Sequence, residues 1–322
     1  MAIVFTIRDY LDTIIDVVSV KSGIILTDAH VIEIINSRDV SWRIDKNRLD
    51  RVIRIRSEEI EDDIRYVRIK IGNLDEKVSP YQFVLTLNEW HKKGVKYQPV
   101  FDAFMEISKE HQNETLDPIF IMEEIHRKTR LPKLFILDVI KLIADRQFQD
   151  SYYVPLEKEE WDGGTPLSRL FNCEIVPGDN TFFDQKFLDY LAINQDALEK
   201  IHWRNFERFC AEFFNRQGYV IKLGPGSKDG GIDIRAFDED NQQNPLIIIQ
   251  CKRYKIGKKV DIETVKAFYT DVLFEKAKHG VIVTTSHVAT GGKKTSQARS
   301  FPLSFAENED VKKWARTMWR YR

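Results

Sequence analysis

A chain of 322 residues with 43% hydrophobic and 31% charged side chains has a soluble, globular composition and enough length for two or three cores. No apolar run approaches the roughly 18 residues of a membrane span, and Cys173, Cys210 and Cys251 form no CxxC pair, which excludes a disulfide framework or a cysteine zinc site. The net charge of −1 hides an asymmetry: residues 201–322 hold 22 Lys+Arg against 14 Asp+Glu, the remainder 27 against 36, so only the C-terminal end is expected to meet a polyanion.

The N-terminus, MAIVFTIRDYLD, places Arg8 and Asp9 where a signal peptide needs its apolar stretch, which points to the cytoplasm. Ile7, Tyr10, Leu11, Ile14, Ile15 and Val18 then follow the spacing of one apolar helix face. RVIRIR (51–56) and YVRIKIG (66–72) read as strands separated by the acidic SEEIEDD. Residues 1–95 are therefore expected to be an α+β domain of unnamed role.

Residues 96–155 contain three helical patterns, VFDAFMEISKEH, IFIMEEIHRKT and LFILDVIKLIADRQF, with Pro118 and Pro132 near two of the starts. With SYYVP as a closing strand they resemble a winged-helix module, although their acidic surroundings favour a structural or protein-contacting bundle. EKEEWDGGTP and VPGDN punctuate residues 156–183, which are read as a linker. A separate domain is expected over 184–322.

In that last domain the helix WRNFERFCAEFFNRQ stops at Gly218. YVIKL (219–223), GIDIRAF (231–237) and LIIIQCKRY (246–254) follow as strands, then the helix ETVKAFYTDVLFEKA, the strand GVIVTTS (280–286), and helical stretches at 291–300 and 309–319. The order α-β-β-β-α-β implies a mixed sheet with helices on both faces. Within it, Gln250 and Lys252 share a face because strand side chains alternate, and Cys251 points the other way. Asp233 sits inside the apolar GIDI, and Glu207 lies near the core-facing stripe of its helix, with Glu212 as the alternative inward carboxylate. A hairpin through DEDNQQNP brings Asp233 opposite the Gln250/Lys252 pair.

The residues NFERFCAEFF, GYVIKLGPGSKDGGIDI, IIIQCKRY, HGVIVTTS and TSQAR resemble, in type and order, the PD-(D/E)xK nuclease superfamily, and within it the Mrr-type restriction endonuclease domain, over about residues 184–320. Gln250 stands where the superfamily most often has Glu, a replacement shared by Mrr-type members. The resemblance implies a restriction-endonuclease-like core and DNA phosphodiester hydrolysis with Mg²⁺ or Mn²⁺. It assigns Asp233, Gln250, Lys252 and Glu207 as catalytic, and Asp233, Gln250, the Cys251 main-chain carbonyl and Glu207 as metal ligands. An oxygen-only donor set suits Mg²⁺, and Lys252 beside the metal is placed to orient or deprotonate the attacking water.

Lys222, Lys228, Lys255, Lys258, Lys259, Lys293 and Lys294 are candidate contacts to the DNA backbone, which carries charge but no sequence information. Cutting both strands with a site that cuts one implies a homodimer or higher oligomer. The setting is restriction or antiphage defence, with the N-terminal domains recognising the target or regulating cutting through a ligand or partner. A junction or repair nuclease, and a DNA-binding subunit with an inactive nuclease fold, are the competing readings. Other motifs fail: TGGKKT (290–295) lacks the earlier phosphate-loop glycine, because His287 stands there, and the seven histidines form no HExxH.

Overall fold

The computed structural model describes residues 2–38, 43–76, 89–111, 117–140, 163–178, 181–226, 231–240, 242–255 and 257–320. The chain forms two compact units, one of residues 1–74 with 161–322 and one of residues 75–160. These limits divide the chain differently from the breaks near 95, 155 and 183 that loop punctuation suggests. The first 74 residues share a core with the C-terminal segment.

Strand β1 (Ala2–Thr6) runs directly into helix α1 (Ile7–Ser22). The Thr6 hydroxyl accepts from the Asp9 N–H while the Asp9 carboxylate accepts from the Thr6 N–H, a reciprocal cap that satisfies two end donors. Ile7, Tyr10, Leu11, Ile14 and Val18 are buried along one face, and left-handed Gly23 ends the helix. Next come β2 (Ile24–Ile25), α2 (Asp28–Asn36), β3 (Val52–Arg56), antiparallel to β1, and α3 (Ser57–Lys70). Helix α3 corrects the expected strand at 66–72. Over the longer window Ile60, Val67 and Ile71 are buried at helical spacing, and the alternation in YVRIKIG is a short stretch of that pattern.

The same unit resumes with β4 (Thr165–Pro166), which pairs in parallel with β2. Then follow α4 (Gln185–Ile193), α5 (Trp203–Arg216), β5 (Val220–Leu223), β6 (Ile234–Phe237) and β7 (Ile247–Lys252). After β8 (Lys259–Val260) come α6 (Ile262–Phe274), β9 (His279–Thr284), β10 (His287–Val288), α7 (Thr290–Ala298), β11 (Leu303–Ala306) and α8 (Asn308–Thr317). A five-stranded mixed sheet runs β11-β9-β7-β6-β5, with β5, β6 and β7 antiparallel and β7, β9 and β11 parallel. Strand β11 was not expected from sequence, because four residues between two helical patterns carry too short a signal.

The sheet is covered on both faces. Ile249, Cys251, Val281 and Val283 join Phe206, Phe209 and Cys210 of α5 and Val311 and Ala315 of α8 in one cluster. Ile248 and Ile282 join Val265, Phe268 and Val272 of α6 in another. The first cluster extends into the N-terminal segment through Ile14, Val18, Val67 and Ile71. Asn194 Nδ2 donates to Lys70 O at 2.8 Å and Trp319 Nε1 to Gly72 O at 3.0 Å, fastening the two ends of the chain together. Gly72 has φ +79°, and a Cβ there would lie 2.0 Å from the Asp189 carbonyl oxygen, so the close approach requires glycine.

The second unit holds helices Gln98–Glu110 and Pro118–Thr129 and helical residues 133–140 around Val100, Ile107, Ile125, Phe135 and Val139. Asp117 caps the Pro118 helix by accepting from the Ile119 N–H at 2.9 Å. The rest of the third expected helix and the strand SYYVP lie outside the described residues. Among the described residues no helix is long and apolar enough to cross a membrane.

Candidate active site

Asp233 stands at the mouth of β6, where the sheet is about to lose a rung. Its N–H donates to Ile249 O at 3.0 Å, continuing the ladder with β7, and its C=O accepts from the Gly224 N–H at 2.7 Å. The regular pairing of β6 with β7 extends no further than Ile234 opposite Ile249. The next inward-facing donor of β7, the Cys251 N–H, is taken by the Asp233 side chain instead, at 2.6 Å to Oδ2. A carboxylate thus replaces a strand residue, which fixes its position against β7.

Helix α5 brings Glu207 up to the same point. The carboxyl is buried, accepts from Arg204 Nη1 at 2.6 Å and hydrogen-bonds Asp233. Burial pushes its pKa up to about 7, and the neighbouring Asp233 charge adds to the rise against the pull of Arg204. Glu212, the other carboxylate of the helix, is also buried but otherwise engaged: it accepts from the Phe182 N–H at 2.9 Å and from Arg216 Nε at 2.7 Å. Glu207 is therefore the acid that meets Asp233.

Gln250 extends from the face of β7 that Ile248 shares with α6. Its Nε2 donates to Gly231 O at 2.8 Å, while Oε1 is buried without a hydrogen-bond partner among the described residues. Gly231 has φ +88°, and a Cβ there would come within 3.0 Å of the amide nitrogen. Lys252, two residues on, is half-buried, and its own carbonyl accepts from Thr284 Oγ1 at 2.8 Å. Thr285 holds the next stretch, accepting from the Tyr254 N–H at 2.9 Å and donating to Tyr254 O at 2.7 Å. The strand exit that carries Lys252 is thereby clamped to β9.

The Cys251 thiol lies on the opposite face against Cys210, fully buried, and burial pushes its pKa well up. Its main chain is turned the other way. N–H and C=O of a strand residue point to the same side, so the Cys251 carbonyl is directed toward β6 and Asp233, as its N–H is.

The structure thus gathers Asp233, Glu207 and the Cys251 main chain in direct contact, with Gln250 and Lys252 on the adjoining strand end. The donors are two carboxyl groups, an amide oxygen and a carbonyl, all hard oxygen ligands of the kind Mg²⁺ or Mn²⁺ takes. Among the described residues no group of three or more His, Cys, Asp and Glu side chains is placed to hold a metal ion, so this site offers two carboxyl groups completed by neutral oxygens. Gln250 Oε1, buried without a hydrogen-bond partner among the described residues, and the contact of Asp233 with Glu207 are each features that an added cation would satisfy. Burial and the contact of the two carboxyl groups favour a proton on the pair, against the pull of the Arg204 ion pair.

The lysines are less uniform. Lys255, Lys258 and Lys259 are exposed just beyond β7, with Lys258 Nζ 4.2 Å from the Tyr254 ring centroid. Lys222 is exposed on the edge strand β5, over the Phe237 ring at 4.6 Å. Lys294 is exposed on α7, but Lys293 is ion-paired with Glu307 at 2.8 Å. Lys228 lies outside the described residues.

Sequence reading missed Arg204. It is buried, holds Glu207, donates to Gly224 O at 2.6 Å and reaches Glu174 at 3.3 Å, so it ties the helix to the β5–β6 turn next to Asp233. The Arg204–Glu207 spacing of three on a helix was the available signal.

Residues 198–315 match the Mrr_cat family, described as restriction endonuclease. An uncharacterised protein, y4cE, of Sinorhizobium fredii (strain NBRC 101917 / NGR234) is 25% identical over 128 residues, 39% of this chain and 33% of that protein. The chain thus spans about a third of the curated relative it matches. Two solved structures are similar over part of the chain, each with a TM-score of 0.32. The MspJI restriction endonuclease in complex with a 27-mer oligonucleotide is 16% identical, over 45% of this chain and 34% of that one. The DNA modification-dependent restriction endonuclease AspBHI is 19% identical, over 44% and 38%.

Proposed function

We propose, for a chain whose residues 198–315 are a restriction endonuclease domain of the Mrr type, that it is a divalent-metal-dependent endonuclease hydrolysing phosphodiester bonds of DNA. The observation that carries this reading is the contact of Asp233 with Glu207 beside the buried, unpartnered Gln250 oxygen, with Lys252 two residues along the same strand. Asp233, Gln250 Oε1 and the Cys251 carbonyl would hold the cation, with Glu207 as a further or water-mediated ligand. The ion would supply Lewis-acid stabilisation of charge building on the phosphoryl oxygens and orient water.

The chain's own groups divide the remaining work. Lys252 points its amine to the same strand face as Gln250, where it aligns the attacking water, accepts its proton and offsets charge in the transition state. Arg204 neutralises part of the acid pair and keeps Glu207 turned toward Asp233. Thr284 and Thr285 hold the strand exit still, which preserves the spacing of Lys252 from the phosphate. Exposed Lys255, Lys258, Lys259, Lys222 and Lys294 would meet backbone phosphates and steer DNA to the site. The setting we propose is restriction or antiphage defence in the cytoplasm, with double-strand cutting by a homodimer or higher oligomer.

The test is plasmid cleavage with Mg²⁺ or Mn²⁺. Wild-type protein is expected to cut and to stop in EDTA, while Asp233→Asn and Lys252→Ala are each expected to lose about 100-fold or more of the rate. Equal cutting in EDTA, or by either variant, rejects the assignment.

A further inference from the structure

We infer that the arginine-walled cleft beside the β1–β3 ribbon is a second phosphate-binding site, which grips the backbone of DNA away from the scissile bond; this rests on the nuclease reading above. The first 200 residues hold nine more acids than bases, yet RIDKNRLDRVIRIR (43–56) carries six bases, Arg43, Lys46, Arg48, Arg51, Arg54 and Arg56, against Asp45 and Asp50. Four of those arginines, Arg43, Arg48, Arg51 and Arg54, line one open cleft of about 490 Å³ together with Ile7 and residues of β3.

The two acids at the cleft, Asp45 and Glu59, offset only part of the charge of its four arginines. The Asp45 carboxylate accepts from the Asn47 N–H at 2.9 Å and, among the described residues, pairs only with Arg48, at 3.8 Å. Glu59 also lines the wall, but it caps α3 by accepting from the Arg56 N–H at 2.8 Å. Arg43, Arg51 and Arg54 have no carboxylate within ion-pairing distance among the described residues. Elsewhere in the unit Arg38, Arg204, Arg208, Arg216 and Arg235 each have one. Three unpaired guanidinium groups around one hollow repel one another, and an anion relieves that repulsion.

Rigidity and geometry favour a phosphodiester. Arg54 stands opposite Val4 in a regular antiparallel register, so its main chain is fixed before any ligand arrives. A guanidinium offers two parallel donors that match phosphate oxygens. The arginines are spread over twelve residues of chain around an open hollow, which suits successive phosphates of a strand better than one free phosphate. Val4 and Val52, 66% and 60% exposed, add apolar surface on the ribbon that can face deoxyribose.

The experiment measures duplex DNA binding in EDTA across a salt series, beside inorganic phosphate and polyglutamate as competitors. Replacing Arg43, Arg51 and Arg54 together by Ala is expected to weaken binding at least tenfold. It should also lower the slope of log K against log salt by about 2 to 3, since each phosphate contact contributes roughly 0.9. The triple Lys variant, which keeps the point charges, is expected to retain most of the slope and serves as the folding control. Unchanged affinity and slope in the Ala variant overturn the inference, as does equal displacement by polyglutamate, which would mark a site for acidic protein. Displacement by millimolar inorganic phosphate alone identifies a free-anion site and also overturns it. Wild-type cutting with an Ala variant that binds normally rejects the cleft and keeps the nuclease. Arginine-dependent binding without metal-dependent cutting does the reverse.

Discussion

At the scale of single residues, two buried groups look costly until they are given a ligand. Glu207 has its pKa raised from an ordinary value near 4.5 to about 7. Folded protein therefore keeps a proton that unfolded chain releases, so the group's contribution to stability is complete below pH 4.5 and is lost as pH rises through 7. Metal-free protein should therefore lose stability steadily between pH 4.5 and 7 from the Glu207–Asp233 pair. Thermal melts across that range should show the loss in wild type and its absence in Glu207→Gln; parallel curves would refute it. Gln250 Oε1 is the second case, since a buried acceptor without a partner is destabilising. Gln250→Leu removes it along with the bond to Gly231 O, so metal-free stability should change by less than about 1 kcal/mol. Mn²⁺ affinity by calorimetry should nevertheless fall about tenfold. A large loss of stability with unaltered Mn²⁺ binding would make Gln250 a structural residue only.

At the scale of elements, the exit of β7 depends on the end of β9. The Thr284 hydroxyl donates to Lys252 O, and Thr285 exchanges two bonds with Tyr254, so both threonines position Lys252 without touching substrate. Thr284→Val is close in shape and should cost about 1 kcal/mol of stability. Its effect on cleavage should appear in kcat with little change in KM, and Thr284→Ser should restore it. A rise in KM alone would point to a role in DNA binding. The β7 alternation was legible because strand side chains repeat every two residues, and α1 and α5 because apolar residues repeat along one helix face. Helix α3 was misread for the same kind of reason. YVRIKIG alternates over seven residues, and only the longer run from Ser57, with Ile60, Val67 and Ile71 buried, shows the helical period.

At the scale of the whole molecule, residues 1–74 form one compact unit with residues 161–322. A fragment of residues 184–322 would expose the face of the common core that Ile14, Val18, Val67 and Ile71 complete, and would lose the bonds from Asn194 and Trp319 to Lys70 and Gly72. It is expected to be poorly folded by circular dichroism, and a cooperative, wild-type-like melt would contradict the shared core. Gly72→Ala in the full chain should cost about 2 kcal/mol or more, because both its backbone angle and the Asp189 carbonyl forbid a Cβ. By itself the sequence determined the local periods, the order of strands and helices from 203 onward, and the series Glu207, Asp233, Gln250, Lys252, since spacing and residue type are properties of neighbouring positions. Only tertiary structure decided that Glu207 and not Glu212 meets Asp233, that the Cys251 carbonyl faces the acids, and that the first 74 residues share their core with residues 161–322. Those outcomes depend on contacts between residues 18 to 247 positions apart, and such contacts follow from how buried faces fit together, which no local pattern encodes.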